Sequence, residues 1–195
     1  MADGEEVVVG RAFSDGSGVV ITGPDQAQRL RRNRLGGGSV PESDPRLPKE
    51  YVISAILTCE EANLALDKGW LKLASSSTPV RRSLFQRVFE DLWERGMWVT
   101  SGMKFGGDML VYQKAPGTVH SSYIVLVHGF DQPLDILDLI TVGRLATAVN
   151  KKVIIASVDE EFVAQYSTFE WDQVASNPPR KSLSLTELDE AIDTI

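Results

Sequence analysis

The sequence predicts an α/β protein in two parts, a small N-terminal unit followed by a larger one. Three observations predict it. Short β-rich segments alternate with stretches whose apolar residues recur at helical spacing. A polar stretch, Ser75 to Thr78, interrupts that pattern. The length of 195 residues, with 43% hydrophobic and 24% charged residues, suits one large domain or two small ones of an ordinary globular protein. The expected division is an N-terminal α/β domain over 1–74, a linker over 75–82, a second domain over 83–173 and an acidic tail over 174–195.

Taken in order, Val7 to Val9 and Val19 to Ile21 flank Ser14-Asp15-Gly16-Ser17-Gly18 and read as a hairpin with a Gly-rich turn. Pro24 to Arg34 has Pro near its start and the run Gly36 to Gly38 beyond its end, the asymmetry of a helix. Arg29, Arg31, Arg32 and Arg34 make its dense basic cluster; with no aromatic interleaved, it reads as a solvated helix face and not as an RNA patch. Ser39 to Lys49 carries three prolines and reads as a loop. Tyr51 to Leu57 is a strand, and Thr58-Cys59-Glu60-Glu61 fits a capping box opening a helix that ends at Gly69. Trp70 to Leu73 then closes the first unit.

Pro79 stands where a second-domain helix would begin, and Leu84, Val88, Phe89 and Leu92 recur at helical spacing up to Gly96. Strands are expected at Trp98 to Ser101, Met109 to Gln113 and Tyr123 to His128. A helix is expected over Leu134 to Val149, a buried strand over Val153 to Val158 and a last strand over Tyr166 to Trp171. Beyond Asn177-Pro178-Pro179 the chain is acidic, with one short helix expected from Ser184 or Thr186.

Composition narrows the function classes. One cysteine, Cys59, and two histidines, His120 and His128, do not make a four-ligand zinc site or an internal disulfide, so the chain reads as reduced and intracellular. No apolar run reaches the roughly 18 residues of a membrane helix, and the acidic start is unlike a signal peptide. The net charge of −7 is unevenly spread: from Asp159 onward nine acidic residues face only Arg180 and Lys181, so residues 1–158 are neutral. A neutral body lacks the broad basic field of a stand-alone nucleic-acid binder. A polyanionic substrate would be gripped locally or with the help of partners.

Two motifs fail. Leu126-Val127-His128-Gly129-Phe130 resembles the strand-end His-Gly of an α/β-hydrolase oxyanion hole, but the chain has no G-x-S-x-G nucleophile elbow, so His128 reads as a strand-end residue. Thr22-Gly23-Pro24 lacks the Gly-Lys-Ser/Thr that grips phosphate and magnesium.

The informative segment runs from Phe89-Glu90-Asp91-Leu92-Trp93-Glu94-Arg95-Gly96 through Gly102-Met103-Lys104-Phe105-Gly106-Gly107-Asp108-Met109-Leu110-Val111-Tyr112 to His120. It closely resembles the catalytic domain of the tRNA-intron endonucleases, in which a helix ending in Gly precedes K-F-G-x-D-[FM]-L-x-Y, a Pro-containing loop and H-[AS]-x-[YF]. Within that family it looks most like the eukaryotic catalytic "thirty-four" subunit assigned to the 3′ splice site. D-L-W-E-R-G, Gly143-Arg144-Leu145 and the order of the N-terminal unit favour that subunit. The resemblance implies a C-terminal domain with a mixed sheet flanked by helices.

It also implies a catalytic triad of Tyr112, His120 and Lys151, with His120 eight residues beyond Tyr112 and Lys151 thirty-one beyond His120. In the family's reaction a ribose 2′-hydroxyl attacks the adjacent phosphorus, leaving a 2′,3′-cyclic phosphate and a free 5′-hydroxyl, with no metal or other cofactor. Tyr112 is the implied general base; because a phenol ordinarily ionises near pH 10, that role needs a positive charge nearby, or the group only orients the hydroxyl. His120 would protonate the leaving 5′-oxygen, and Lys151 would stabilise charge on the non-bridging oxygens. Lys152 is adjacent, but neighbours on a strand point to opposite faces, and the spacing from Gly143-Arg144-Leu145 favours Lys151.

Seen singly, the three are commonplace: a cross-strand aromatic, a loop histidine, a solvated helix-end lysine. Their joint occurrence at family spacing is what points to chemistry. Lys104, Gly106, Gly107 and Asp108 read as scaffold.

The resemblance further implies that Arg144 and Trp171 pinch a flipped intron base in substrate binding, a stacking that tolerates any base. Taken alone, Trp171 reads as a core or subunit-interface aromatic. The family works as an assembly, so the implied partners are intron-containing pre-tRNA, a second catalytic subunit and two structural subunits. Contacts are expected through the strands near Tyr166 to Trp171 and an acidic loop, in the nucleus or, alternatively, the cytoplasm or the mitochondrial outer surface. The competing expectations are a non-catalytic structural subunit, which predicts loss of triad residues, and a regulatory module in a related RNA-processing complex.

Overall fold

A computed structural model describes residues 7–38, 40, 52–74, 79 and 83–171. The expected loop over 39–49 lies almost wholly outside them, and Ser75 to Thr78 and the acidic tail over 174–195 with its short helix lie wholly outside them.

The first unit is a four-stranded sheet in the order β3-β2-β1-β4, with β1 at Val8–Ala12, β2 at Gly18–Thr22, β3 at Ile53–Thr58 and β4 at Leu71–Leu73. β1 and β2 form the expected antiparallel hairpin, and β4 runs parallel to β1. Helix α1, Pro24–Arg32, stops because Asn33 and Arg34 leave the helical region, Arg34 with φ 57°. Within its basic cluster Arg31 and Arg32 are exposed, as a solvated face requires, and two members also reach carbonyls. Arg31 donates to the carbonyls of Gly36 and Ser54, and Arg34 donates to the carbonyl of Trp93, because guanidinium groups at a helix end find free carbonyls within reach.

Helix α2, Cys59–Asp67, opens on the expected capping box. The Thr58 hydroxyl accepts from the Glu61 N–H at 3.3 Å, and the Glu61 carboxylate accepts from the Thr58 N–H at 2.9 Å, so two orphan donors are satisfied reciprocally.

The second unit is a five-stranded mixed sheet in the order β5-β6-β7-β8-β9. The strands are β5 at Trp98–Ser101, β6 at Met109–Tyr112, β7 at Tyr123–Gly129, β8 at Lys152–Val158 and β9 at Ala164–Phe169. β7 and β8 are parallel, joined through helix α4, Ile136–Ala148; the other pairs are antiparallel. A parallel pair needs such a crossover, whereas β8 and β9 need only a tight turn.

That turn explains why β9 starts two residues before the expected strand. The carbonyl and carboxylate of Asp159 accept from the N–H groups of Phe162 and Val163, so the chain reverses by residue 163.

The alternation of side chains gives the sheet two covered faces. Val111, Val125, Ile154, Ala156 and Val158 join Val88, Phe89 and Leu92 of helix α3, Ser83–Glu94. Leu110, Ile124 and Val153 join Val142 and Ala146 of α4, with Phe105, Tyr112 and Phe169 packed against them. The first of these clusters continues into the N-terminal unit through Leu64 and Ala65 of α2, Leu30 of α1 and Leu57 of β3.

Candidate active site

The site is built at the end of the five-stranded sheet where β6 stops, β7 begins and α4 hands over to β8. Tyr112 is the last residue of β6, half-buried, opposite Trp98 of β5, with its ring against the α4-face cluster. The loop after it folds on itself through the Pro116–Val119 bridge and the Thr118 N–H to Ala115 carbonyl bond. His120, at the loop's end, is exposed. Ser121 is buried, and the Ser122 N–H returns to the Val111 carbonyl, which fixes the segment just behind His120 against β6.

Lys151 lies in the link between α4 and β8. That link is tight: Asn150 takes a left-handed φ of 54° and the Lys151 N–H donates to the Ala146 carbonyl at 2.8 Å. Its Nζ donates to the Ser121 carbonyl at 2.9 Å and stands 5.4 Å from the centroid of the Phe105 ring. Partial burial holds its pKa below the ordinary lysine value, since desolvation penalises the charged form. Lys152 goes elsewhere, its Nζ 3.4 Å from Glu170 Oε1.

Lys151 is thus bonded to the residue next to His120, and through Phe105 it meets the cluster that holds Tyr112. The segment behind His120 is tied both to β6 and to Lys151, so the three residues expected to act together lie at one sheet end. The bonding partner of Lys151 is a backbone carbonyl, which no residue-type pattern reveals. Phe105 lies inside the motif, where the sequence reading gave it no role.

The Lys104 to Asp108 segment serves as framework. Met103–Phe105 forms a 3-10 turn closed by the Phe105 N–H to the Gly102 carbonyl at 2.8 Å, and Gly106 follows at φ 68°, a conformation glycine adopts without strain. A Cβ on Gly107 would strike Ile124 of β7. Asp108 Oδ2 accepts from the Val127 N–H at 2.8 Å, prolonging the ladder on the side where β6 has not yet begun.

Arg144, exposed on α4, has its guanidinium 5.5 Å from the centroid of Trp171, so the two side chains expected to grip a base are neighbours. His128 lies in β7 opposite Ser157, one residue before the strand ends.

Of the three residues, His120 is exposed and Tyr112 and Lys151 are partly exposed. A cavity of about 40 Å³ lies in the N-terminal unit among Val8, Leu30 and Trp70. Among the described residues, no three His, Cys, Asp or Glu side chains gather as a metal set, and no helix is long and apolar enough to cross a membrane.

Compared with known proteins, residues 85–166 match the family described as the tRNA intron endonuclease, catalytic C-terminal domain. The chain is 28% identical over 177 residues to a tRNA-splicing endonuclease of Saccharolobus islandicus, covering 83% of this chain and 97% of that protein. A tRNA-splicing endonuclease of Saccharolobus solfataricus matches at 27% over the same length. The mouse tRNA-splicing endonuclease subunit Sen34 is 36% identical over 84 residues, which is 43% of this chain and 27% of the mouse protein. The mixed sheet with its flanking helices therefore carries the tRNA intron endonuclease catalytic domain.

Proposed function

We propose that the chain is a catalytic subunit of a tRNA-splicing endonuclease, cutting intron-containing pre-tRNA at the 3′ splice site. The observation that carries this reading is the Lys151 ammonium bound to the Ser121 carbonyl, beside His120, within the segment that matches the endonuclease domain.

In the step envisaged, Tyr112 takes the proton from the 2′-hydroxyl and O2′ bonds to the adjacent phosphorus. The P–O5′ bond breaks as His120 gives its proton to O5′. Lys151 stabilises the charge that accumulates on the non-bridging oxygens. The products are a 2′,3′-cyclic phosphate and a 5′-hydroxyl, a lyase-type cleavage that needs no metal. Arg144 and Trp171, already neighbours, open around an unpaired intron base. The working form is a nuclear assembly with a second catalytic subunit and two structural subunits, which makes good the neutral charge of residues 1–158.

A second reading is favoured by the collinear match over 97% of an archaeal protein, against the short match to the mouse subunit: this one chain serves both intron ends. End-labelled, intron-containing pre-tRNA cut by the assembled enzyme separates the two. Replacing His120 by Ala is expected to slow the 3′ cut at least about 100-fold, as loss of a general acid does, with no effect of a chelator. Loss of both cuts selects the second reading. Normal cutting at both sites removes the catalytic role and leaves a structural subunit.

A further inference from the structure

This inference rests on the catalytic reading above and concerns how Lys151 is held. An ammonium on a four-carbon stem is a flexible point charge that loses considerable rotamer freedom when fixed. Lys151 is fixed at its root by the Lys151 N–H to Ala146 bond and at its tip by the Ser121 carbonyl at 2.9 Å. The Phe105 ring, with its centroid 5.4 Å from Nζ, lies within the distance at which an aromatic face attracts a cation.

The ring is itself held firmly. Its residue closes the 3-10 turn, Gly106 turns the chain back beside Val142 of α4, and Gly107 lies against Ile124. Phe105, partly buried, packs on the cluster of Leu110, Ile124, Val142, Ala146 and Val153, so swinging the ring away forfeits those contacts.

We propose that Phe105 is a positioning residue for the reaction: its ring face and the Ser121 carbonyl make a two-point socket that holds the Lys151 ammonium and leaves a further N–H for a phosphate oxygen. The motif's aromatic position then has a role that packing alone does not give it. Leucine fills much of the same space but has no negative π face, whereas tyrosine keeps the face.

The socket also bears on ionisation, because burial lowers the pKa of Lys151 while a π face stabilises the cation. The other titratable or charged side chains on the surrounding elements are Lys104 on the turn, Asp108 before β6, Tyr112 on β6, His120 before Ser121, Tyr123 and His128 on β7, Asp138 and Arg144 on α4 and Lys152 on β8. None of these is altered by substituting Phe105.

The test compares wild type with Phe105→Leu, Phe105→Tyr and Lys151→Ala as full chains in the assembled enzyme, measuring kcat and KM for pre-tRNA across pH. The Lys151 Nζ resonance is titrated in 15N-lysine-labelled protein, with Lys151→Arg for its assignment. Phe105→Leu is expected to lower kcat about three- to ten-fold at nearly constant KM. It should also move both the basic limb of kcat and the Lys151 titration about half a pH unit lower, and Phe105→Tyr should restore both.

If Lys151→Ala abolishes cutting but Phe105→Leu moves neither kcat nor the titration, the socket is refuted and the catalytic reading stands. Equal impairment in the Leu and Tyr variants also refutes it, since packing alone would then account for the loss. If Lys151→Ala cuts normally, the catalytic role of Lys151 fails and the inference falls with it, whatever the Nζ titration gives.

Discussion

Glu61 is a fully buried carboxylate whose two oxygens accept from the N–H groups of Gly36 and Thr58 at 2.8 and 2.9 Å. It joins the start of α2 to the turn that follows α1. Burial outweighs these bonds and pushes its pKa from 4.5 up to about 7. Between those values the folded chain keeps a proton that the unfolded chain has released, so this group's contribution to stability is largest below about pH 4.5 and falls as pH rises to 7. The change across that window is up to about 3 kcal/mol. Glu61→Gln removes the titration and leaves one of the two N–H groups without an acceptor, a pH-independent cost of about 1 to 3 kcal/mol. Denaturant midpoints taken from pH 4 to 8 should therefore show a steeper decline for wild type than for the variant. Equal slopes would assign the pH dependence to other groups.

Among the elements, β6 and β7 are held together by a side chain as well as by backbone. Their ladder starts at Met109 opposite Val125, and Asp108 continues it by accepting from the Val127 N–H. Asp108→Ala should cost about 1 to 3 kcal/mol by orphaning that donor, while Asp108→Asn, which keeps a side-chain oxygen, should cost less. Urea midpoints of the two variants check this, and an Asn variant as unstable as Ala would show that the carboxylate's charge matters more than its place in the ladder. The elements around this pair were legible for different reasons: α3 by the helical period of Leu84, Val88, Phe89 and Leu92, and β6 as a short continuous apolar run from Met109 to Tyr112. The 3-10 turn at Met103–Phe105 was not, since three residues hold no period and the turn is fixed by contacts with β7 and α4. The shifted start of β9 was missed for a related reason. Asp159 looks like one more acid in an acidic run, and only in three dimensions does it cap the turn. Tyr112, His120, Lys151, Arg144 and Trp171 could be marked by spacing and resemblance, but the Ser121 carbonyl carries no residue-type signal at all.

At the scale of the whole molecule, hydrophobic periodicity says that a face is buried without saying against what. The chain's two sheets share one core, which passes from Leu57, Leu64 and Ala65 to Val88, Phe89 and Leu92. The seam around it is polar and hydrogen-bonded, although the buried Arg34 Nε has no hydrogen-bond partner among the described residues. Asn63 donates to Gln86, Gln86 donates to the Glu60 carbonyl, and Trp93 Nε1 donates to the Asn33 carbonyl at 2.8 Å. Arg34 lies 4.8 Å from the Trp93 ring and donates to the Trp93 carbonyl, and Trp70 packs 6.0 Å from the same ring. A core shared in this way couples the two units, because neither can unfold without exposing apolar surface on the other. The wild-type chain is therefore expected to melt in one transition, with calorimetric and van't Hoff enthalpies equal. Trp93→Ala removes the ring on which Arg34 and Trp70 pack and the donor to Asn33, at a cost of about 3 kcal/mol. Because that loss falls on the seam, it should lower the melting temperature of both units together, followed by hydrogen exchange at β2 and at β8. If exchange at β2 speeds up while β8 keeps wild-type protection, the two units fold independently and the shared core is only a contact between them.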